Sequence, residues 1–438
     1  AAIEIICVDD ASTDRTPAIV AAYSARDPRV RLIRQPQNGS AFQARRVGIG
    51  AAAAPYTLFL DGDDELAPIA AETTLSLAAS SGADLVGFGV QVVTESSAPG
   101  RFEAALQPLH RELVAPNILP RLLPPGEEAN GHLWRYLFST SLLRASYEGL
   151  GDDLRFYRAN DLPITFLALS LARKYVSTSE RLYRYHFRRG TSGHAIASMG
   201  QFEFLLSGIQ PITEISAQVH RAAKIAPQPQ AVLECYESAR LHIIGNVLRN
   251  CVRYTAGEMQ ADCLELLKHR VGELDVIRAA AGFVPEALPV LTRHASAPPK
   301  PVDSPRSVLL TTAHLDTGGL QGVLLAQARQ LVANGYKVTI AVMRGGVLDR
   351  EVPSGVSLVR VTGENLALRI DHWLQICDEH AVDVIIDHHI LYNEYWPLLA
   401  MAASTAGVPT IGWLHNFALR PLFDRSQRRV QLTPAGAA

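Results

Sequence analysis

Short apolar runs that end in acidic residues, each followed by a stretch with helical spacing, recur through the first part of the chain, and no other feature restricts its fold so tightly. Ile3–Val8 is such a run and stops at Asp9-Asp10. The stretch from Asp14 to Arg26 then has helical spacing, with Ser12, Thr13 or Asp14 placed to cap it. Val30–Ile33 predicts a strand, Ala41–Ala54 an alanine-rich helix, and Tyr56–Leu60 a third strand that breaks at Asp61-Gly62-Asp63-Asp64. Pro68–Ser81 reads as helix and Asp84–Val93 as strand. This alternation implies a mostly parallel sheet with helices on both faces. Ligands bind such sheets beyond the carboxyl ends of the strands. Asp9/Asp10 and Asp61/Asp63 both stand at carboxyl ends, so the two acidic pairs are expected in one crevice.

The chain has 438 residues, too many for one ordinary core. From Phe102 to about Arg189 the pattern is less regular, with loops at Pro124-Pro125-Gly126 and Gly149-Leu150-Gly151 and a helix over Pro163–Arg173. Gln201 to about Ala281 is helical by periodicity. Ala295–Pro305, in HASAPPKPVDSP, is the clearest linker. Beyond it the strand–helix order returns: strands over Ser307–Thr312, Lys337–Met343, Val382–Asp387 and Thr410–His415, helices over Gly318–Asn334, His372–His380 and Trp396–Ala406. That order predicts a second doubly wound unit. The reading divides the chain into 1–195, a helical segment 196–294, a linker 295–305 and an α/β unit 306–438.

Several function classes drop out. The 41 basic and 43 acidic side chains give a formal charge of −2, which removes the electrostatic case for nucleic acid as main partner. No apolar run reaches a membrane-spanning length without a charge or proline, and the chain does not open like a signal peptide. The five cysteines are scattered and read as buried thiols, which points to a cytoplasmic location. Both ends of the sequence read as cut. No zinc-protease, serine-hydrolase or P-loop string is present.

What chemistry there is concentrates in TLFLDGDDEL. Three carboxylates within four residues repel one another unless a cation neutralises them. Oxygen-only ligands suit Mn²⁺ or Mg²⁺, which binds through one or two carboxylates plus substrate phosphates. The same string also reads as an acidic turn capping the next helix. Asp9-Asp10 with Ser12 and Thr13 reads as a capping sequence too. Arg45 and Arg46 suit either a diphosphate or a solvated basic face. Asn160-Asp161 before Leu162-Pro163 is an ordinary helix start. Trp134, Tyr183 and Tyr185 suit a sugar face or the core.

VDDASTD, ARRVG, FLDGDDEL, DLRFYRANDLPITF and LYRYHFRRGTSG occur in that order between Ile3 and about Gly193. Together they resemble the family-2 glycosyltransferases of GT-A fold. The resemblance implies that Asp10, with Asp9 beside it, reads the base and ribose of a sugar nucleotide, and that Arg45 approaches the diphosphate. Asp61 and Asp63 match the two aspartates of the DxD motif, with Asp64 in the acidic position after it, so all three are expected at the metal. Asp161 falls where the family carries its general base. Departures are Asn160 for the usual Glu, Arg46 for Asn, Ala11 for Gly, and an absent opening strand. TAHLDTGGLQGVLLAQARQLVANGYKVTIAV and WLHNF are similar to the opening of family-4 glycosyltransferases of GT-B fold, which makes Gly318, Gly319 and His415 a second candidate site on a Rossmann-like half.

The reading is therefore an inverting, metal-dependent transferase that moves a sugar from a nucleotide diphosphate to a hydroxyl acceptor in glycan or polysaccharide synthesis. The acceptor is a glycan, a lipid-linked or another hydroxyl compound, and peripheral membrane contact is allowed. The alternatives are a non-catalytic fragment that binds sugar nucleotides, or activity residing in the GT-B-like part.

Overall fold

Ile5–Asp9 (β1) and Val30–Arg34 (β2) pair in parallel through the helix Thr16–Ser24, as the opening alternation requires. The helix Ser40–Ala51 then leads to Tyr56–Leu58 (β3). The remaining strands of this part are Glu65–Leu66 (β4), Leu85–Val93 (β5), Glu112–Val114 (β6), Tyr136–Ser139 (β7) and Lys174–His186 (β8). They form a second sheet in the order β3-β7-β5-β8-β4, with β6 beside β8. In this computed structural model the described residues are 3–94, 100–187, 196–300, 302–363, 365–388, 396–413, 422–424 and 429–431. The chain divides into two units, Ala1–Ile243 and Ile244–Ala438.

The β1–β2 pair keeps the expected parallel order, but the larger sheet of the first unit corrects the expectation of a mostly parallel one. Of its pairings only β5 with β8 is parallel; β3–β7, β5–β7, β4–β8 and β6–β8 are antiparallel. A helix between consecutive strands favours parallel pairing only where those strands become neighbours. Here β7 enters between β3 and β5, and the long β8 joins the other side of β5. Both were hidden in the irregular stretch after Phe102. Leu85, Phe88, Phe138, Phe166 and Tyr175 anchor the core, each almost fully buried.

In the second unit Ser307–Thr312 (β9), Lys337–Val342 (β10), Val356–Arg360 (β11), Val384–Asp387 (β12) and Thr410–Gly412 (β13) make an all-parallel sheet in the order β11-β10-β9-β12-β13. All six residues of β9 are buried, the pattern of a central parallel strand. The helix Gly319–Ala333 crosses from β9 to β10 and buries Leu324, Leu325 and Ala328.

The helical segment 196–294 does not stand alone. Ile212, Ile215, Val219 and Tyr236 join the core of the first unit. The helix Glu273–Phe283 packs with Leu366–Glu379 and Trp396–Thr405 in the second. The proline-rich 295–305 therefore lies inside the second unit, because periodicity shows a helix's apolar face but not the core it joins. Cys235, Cys251, Cys263 and Cys377 are buried free thiols, and Cys7 is half-buried. No helix among the described residues is long and apolar enough to cross a membrane.

Candidate active site

The helix Ser40–Ala51 carries the residue around which the site is built. Phe42, Arg45, Arg46 and Ile49 share one face by their spacing. Phe42 packs on Phe156 and Tyr147 with ring centroids 4.6 and 5.3 Å away. Burying such a ring contributes roughly 1.5–3 kcal/mol, and it carries the two arginines inward. Arg46 donates to the carbonyls of Leu150 and Gly151 and to the carboxylate of Asp152, fixing that loop.

Arg45 joins two carboxylates from distant parts of the chain. Its Nη2 donates to Asp61 Oδ1 at 2.9 Å, and its Nη1 to Asp161 Oδ1 at 2.5 Å and Asn160 Oδ1 at 2.8 Å. The arginine side chain is 12% exposed, so this is a desolvated ion cluster rather than a surface pair. Burial opposes the charged guanidinium, but Asp161 and then Asp61 outweigh it and raise its pKa above the ordinary arginine value.

Asp161 occupies the N-cap position of the helix Leu162–Leu171, yet its side chain makes no capping hydrogen bond. Oδ1 faces Arg45, and Oδ2 accepts only a long 3.4 Å bond from the Leu133 N–H. The plain helix-start reading of Asp161 thus accounts for its backbone and not for its carboxylate. Gly131 makes the approach possible, since a Cβ there would lie 2.9 Å from the Leu162 Cα.

The acidic loop after β3 is pinned from β8. Tyr183 Oη accepts the Asp61 N–H at 3.2 Å and donates to Asp64 Oδ2 at 2.8 Å, while the His186 N–H donates to Asp64 Oδ1 at 2.7 Å. Each Asp64 oxygen thus accepts one hydrogen bond from β8. Burial raises its pKa despite those two hydrogen bonds. Asp63 is exposed, and its carboxylate has no hydrogen-bond or ion-pair partner among the described residues. Among those residues no group of three His, Cys, Asp or Glu side chains forms a metal mount. Of the three carboxylates, those of Asp61 and Asp63 accept the fewest hydrogen bonds among the described residues.

Asp10 Oδ1 accepts from the Gly39 N–H and from Gln35 Nε2, both at 2.7 Å, at the start of the Arg45 helix. Asp9 is buried; its Oδ1 accepts from the Ser12 N–H at 3.3 Å and its Oδ2 lies 3.6 Å from Arg34 Nε. Through Gly39, the N-cap residue of the Arg45 helix, Asp10 is tied to the same helix that carries the partner of Asp61 and Asp161.

Four non-glycine residues in the described structure have positive φ, and three of them border this site: Ala11 at 60°, Ser40 at 80° and Ala159 at 47°. Each costs on the order of 1–2 kcal/mol. They follow Asp10, begin the Arg45 helix and precede Asn160-Asp161. Strain concentrated in this way is a mark of functional sites.

Two residues of the site carried no sequence signal. The ring of His132 packs at a tilt on Trp134, 4.8 Å between centroids and 32° between planes, and its Nδ1 is buried without a hydrogen-bond partner. Burial and Arg135 push its pKa down to about 3, against the pull of Asp61. Tyr147 Oη is likewise buried and unpartnered, in the field of Arg45 and Asp161. In the second unit Gly318 and Gly319 are exposed at the start of their helix, and His415 lies outside the described residues.

These features define an α/β enzyme-like site in which an acidic loop and a distant aspartate meet over one buried arginine. The family model described as "Glycosyl transferase family 2" matches residues 1–122, a span that ends before Asp161. The chain is 30% identical over 220 residues to the glycosyltransferase GlyG of Streptococcus pneumoniae, covering 49% of this chain and 68% of that protein. It is 32% identical over 187 residues to the uncharacterized glycosyltransferase EpsJ of Bacillus subtilis (42% of this chain, 52% of that one). To the succinoglycan biosynthesis protein ExoO of Rhizobium meliloti it is 30% identical over 191 residues (43% and 53%). The chain belongs to glycosyl transferase family 2, and it spans about half the length of EpsJ and ExoO.

Proposed function

We propose that the first unit transfers a sugar from a nucleotide diphosphate to a hydroxyl acceptor, with inversion at the anomeric carbon, in glycan or polysaccharide assembly. The observation that supports this most directly is Arg45, which holds Asp61 of the acidic loop and Asp161 within one ion cluster. In this reading Asp161 is the general base. Its Oδ2, held only by the long Leu133 contact, takes the proton from the acceptor hydroxyl as that oxygen attacks the anomeric carbon. The bond from that carbon to the nucleotide diphosphate breaks on the opposite side, which inverts the centre. The attack needs one base, and one is provided.

Asp61 and Asp63 fit a hard divalent ion, Mn²⁺ or Mg²⁺, by their donor chemistry: one free carboxylate and one with a single oxygen on Arg45, the remaining ligands coming from phosphate and water. When bound, such an ion would offset the charge of the leaving diphosphate. Arg45 is committed to carboxylates, so its role here is to hold the loop and the base in register rather than to grip phosphate. Asp10 and Asp9 remain the candidates for the nucleoside. A cytoplasmic site of action, with a glycan or lipid-linked acceptor, belongs to the same reading. Neither Gly318 nor Gly319 has a role in it, and an arginine withheld from phosphate is the feature that favours the rival, a binding module without turnover.

The test is calorimetry of UDP and GDP with and without Mn²⁺. Asp63→Ala is expected to abolish the metal-dependent part of binding. Affinity that stays the same in excess EDTA would overturn the assignment.

A further inference from the structure

The aromatic group beside the site divides into a buried part and an open one. Trp134 lies between Tyr183 and Tyr185 in near-parallel stacking, 18° and 11° between ring planes. Trp134 and Tyr183 are buried, and the Tyr183 hydroxyl is spent on Asp61 and Asp64. Core packing explains both.

Tyr185 is different. Its ring is half-buried, and its hydroxyl has no hydrogen-bond partner among the described residues. Burial first, then Asp64, Asp63, Asp61 and Asp161, raise its pKa, so the phenol lies within electrostatic reach of all four carboxylates. The same ring meets Phe102 at 6.0 Å and Phe187 at 6.4 Å. Those two rings, 5.6 Å apart, are 36% and 37% exposed. A single exposed apolar side chain needs no explanation. Three rings gathered at the surface around one uncommitted hydroxyl, beside a cluster of acids, form a recognition surface.

The chemistry of that surface selects its occupant. Aromatic faces attract the C–H face of a pyranose, while a phenol and carboxylates hydrogen-bond its hydroxyl groups. A purely aliphatic ligand would leave the polar groups unused, and an anionic polymer would meet Asp63, whose carboxylate has no ion-pair partner among the described residues. Given the transferase reading above, on which this step rests, we infer that Tyr185, Phe102 and Phe187 form the acceptor subsite, and that the acceptor is a neutral saccharide whose ring lies on these aromatics.

The inference is tested by saturation-transfer NMR on the full chain with methyl β-D-glucopyranoside, without nucleotide, so that the result does not depend on donor binding. Saturation is expected to be strongest on the axial ring protons. Phe102→Ala and Phe187→Ala, both at exposed positions, should each weaken binding about three- to tenfold. Tyr185→Phe, which keeps the ring, should weaken it while leaving the same protons saturated. Absence of transfer in the wild type, transfer unchanged in the Phe102→Ala/Phe187→Ala double variant, or saturation confined to the alkyl chain of octyl β-D-glucopyranoside would each overturn it. Failure of metal-dependent UDP binding with saccharide saturation retained would instead count against the donor site alone.

Discussion

The two units solve the same packing problem with different regularity. In the second, five strands run parallel in unbroken register, and a representative buried polar contact is neutral on one side: Thr311 Oγ1 donates to Asp387 Oδ1 at 2.8 Å. In the first, the pairing of β5 with β8 slips twice, between Gly87 and Gly89 and between Gly89 and Val90. A Cβ on Gly89 would stand 2.9 Å from the Ser179 carbonyl oxygen, so the slip needs glycine there. Directly beyond it β8 presents Tyr183 and His186 to the acidic loop. The irregular unit also holds the buried ion cluster and, among the described residues, three of the four left-handed non-glycine ones. Regular sheets minimise strain; a site spends stability on bulges, buried charge and unfavourable backbone.

The contrast can be broken most forcefully at Arg45. Arg45→Met leaves two partly buried carboxylates facing each other without their cation and should destabilise the first unit by about 3–5 kcal/mol, read by urea titration. Thr311→Val in the second unit removes one hydrogen bond and should cost about 1–2 kcal/mol. Equal losses would mean that the ion cluster is not what distinguishes the two.

Asp161→Asn is next. It is near-isosteric and keeps the helix start, so transfer should fall on the order of 10²-fold or more while nucleotide affinity changes little. A loss of stability with turnover per folded molecule intact would return Asp161 to a structural role.

The third test uses pH. The folded pKa of His132, about 3, lies below its ordinary 6.5, so the fold favours the neutral ring. Its contribution is complete above the ordinary value and is lost as pH falls from there towards 3. Between pH 7 and pH 5 the loss should be about 2 kcal/mol, and His132→Phe should remove that part of the pH dependence. An unchanged profile in the variant would show that another group titrates.

The smallest expected effect is at Ala11. Ala11→Gly should relieve the left-handed backbone and stabilise by about 0.5–1 kcal/mol, net of the entropy lost by glycine. Ala381→Gly, at φ 48° in the second unit, should gain as much. Comparing nucleotide binding in the two variants by calorimetry then shows whether the strain at Ala11 serves the site.

The sequence by itself determined the elements wherever apolar spacing was regular. β1, β2, β5, β9, β10 and the helices Ala70–Ser81, Gly319–Ala333 and Trp396–Thr405 fall within a few residues of their expected places. It also flagged Asp61, Asp63, Arg45 and Asp161, because motif order survives in one dimension. Tertiary structure decided the rest. β8 was illegible because its exposed middle, Glu180 and Arg181 among it, breaks the alternation that marks a strand. The three adjacent carboxylates look alike in sequence, and only the packed β8 distinguishes Asp64, which accepts from Tyr183 and the His186 N–H. Arg45 gained its partners only when Phe42 and Ile49 turned its helix face inward. Asp61 and Asp161, 100 positions apart, meet only through Arg45, and local patterning carries no information about such distances: only the packed sheet and the helix laid on it set them.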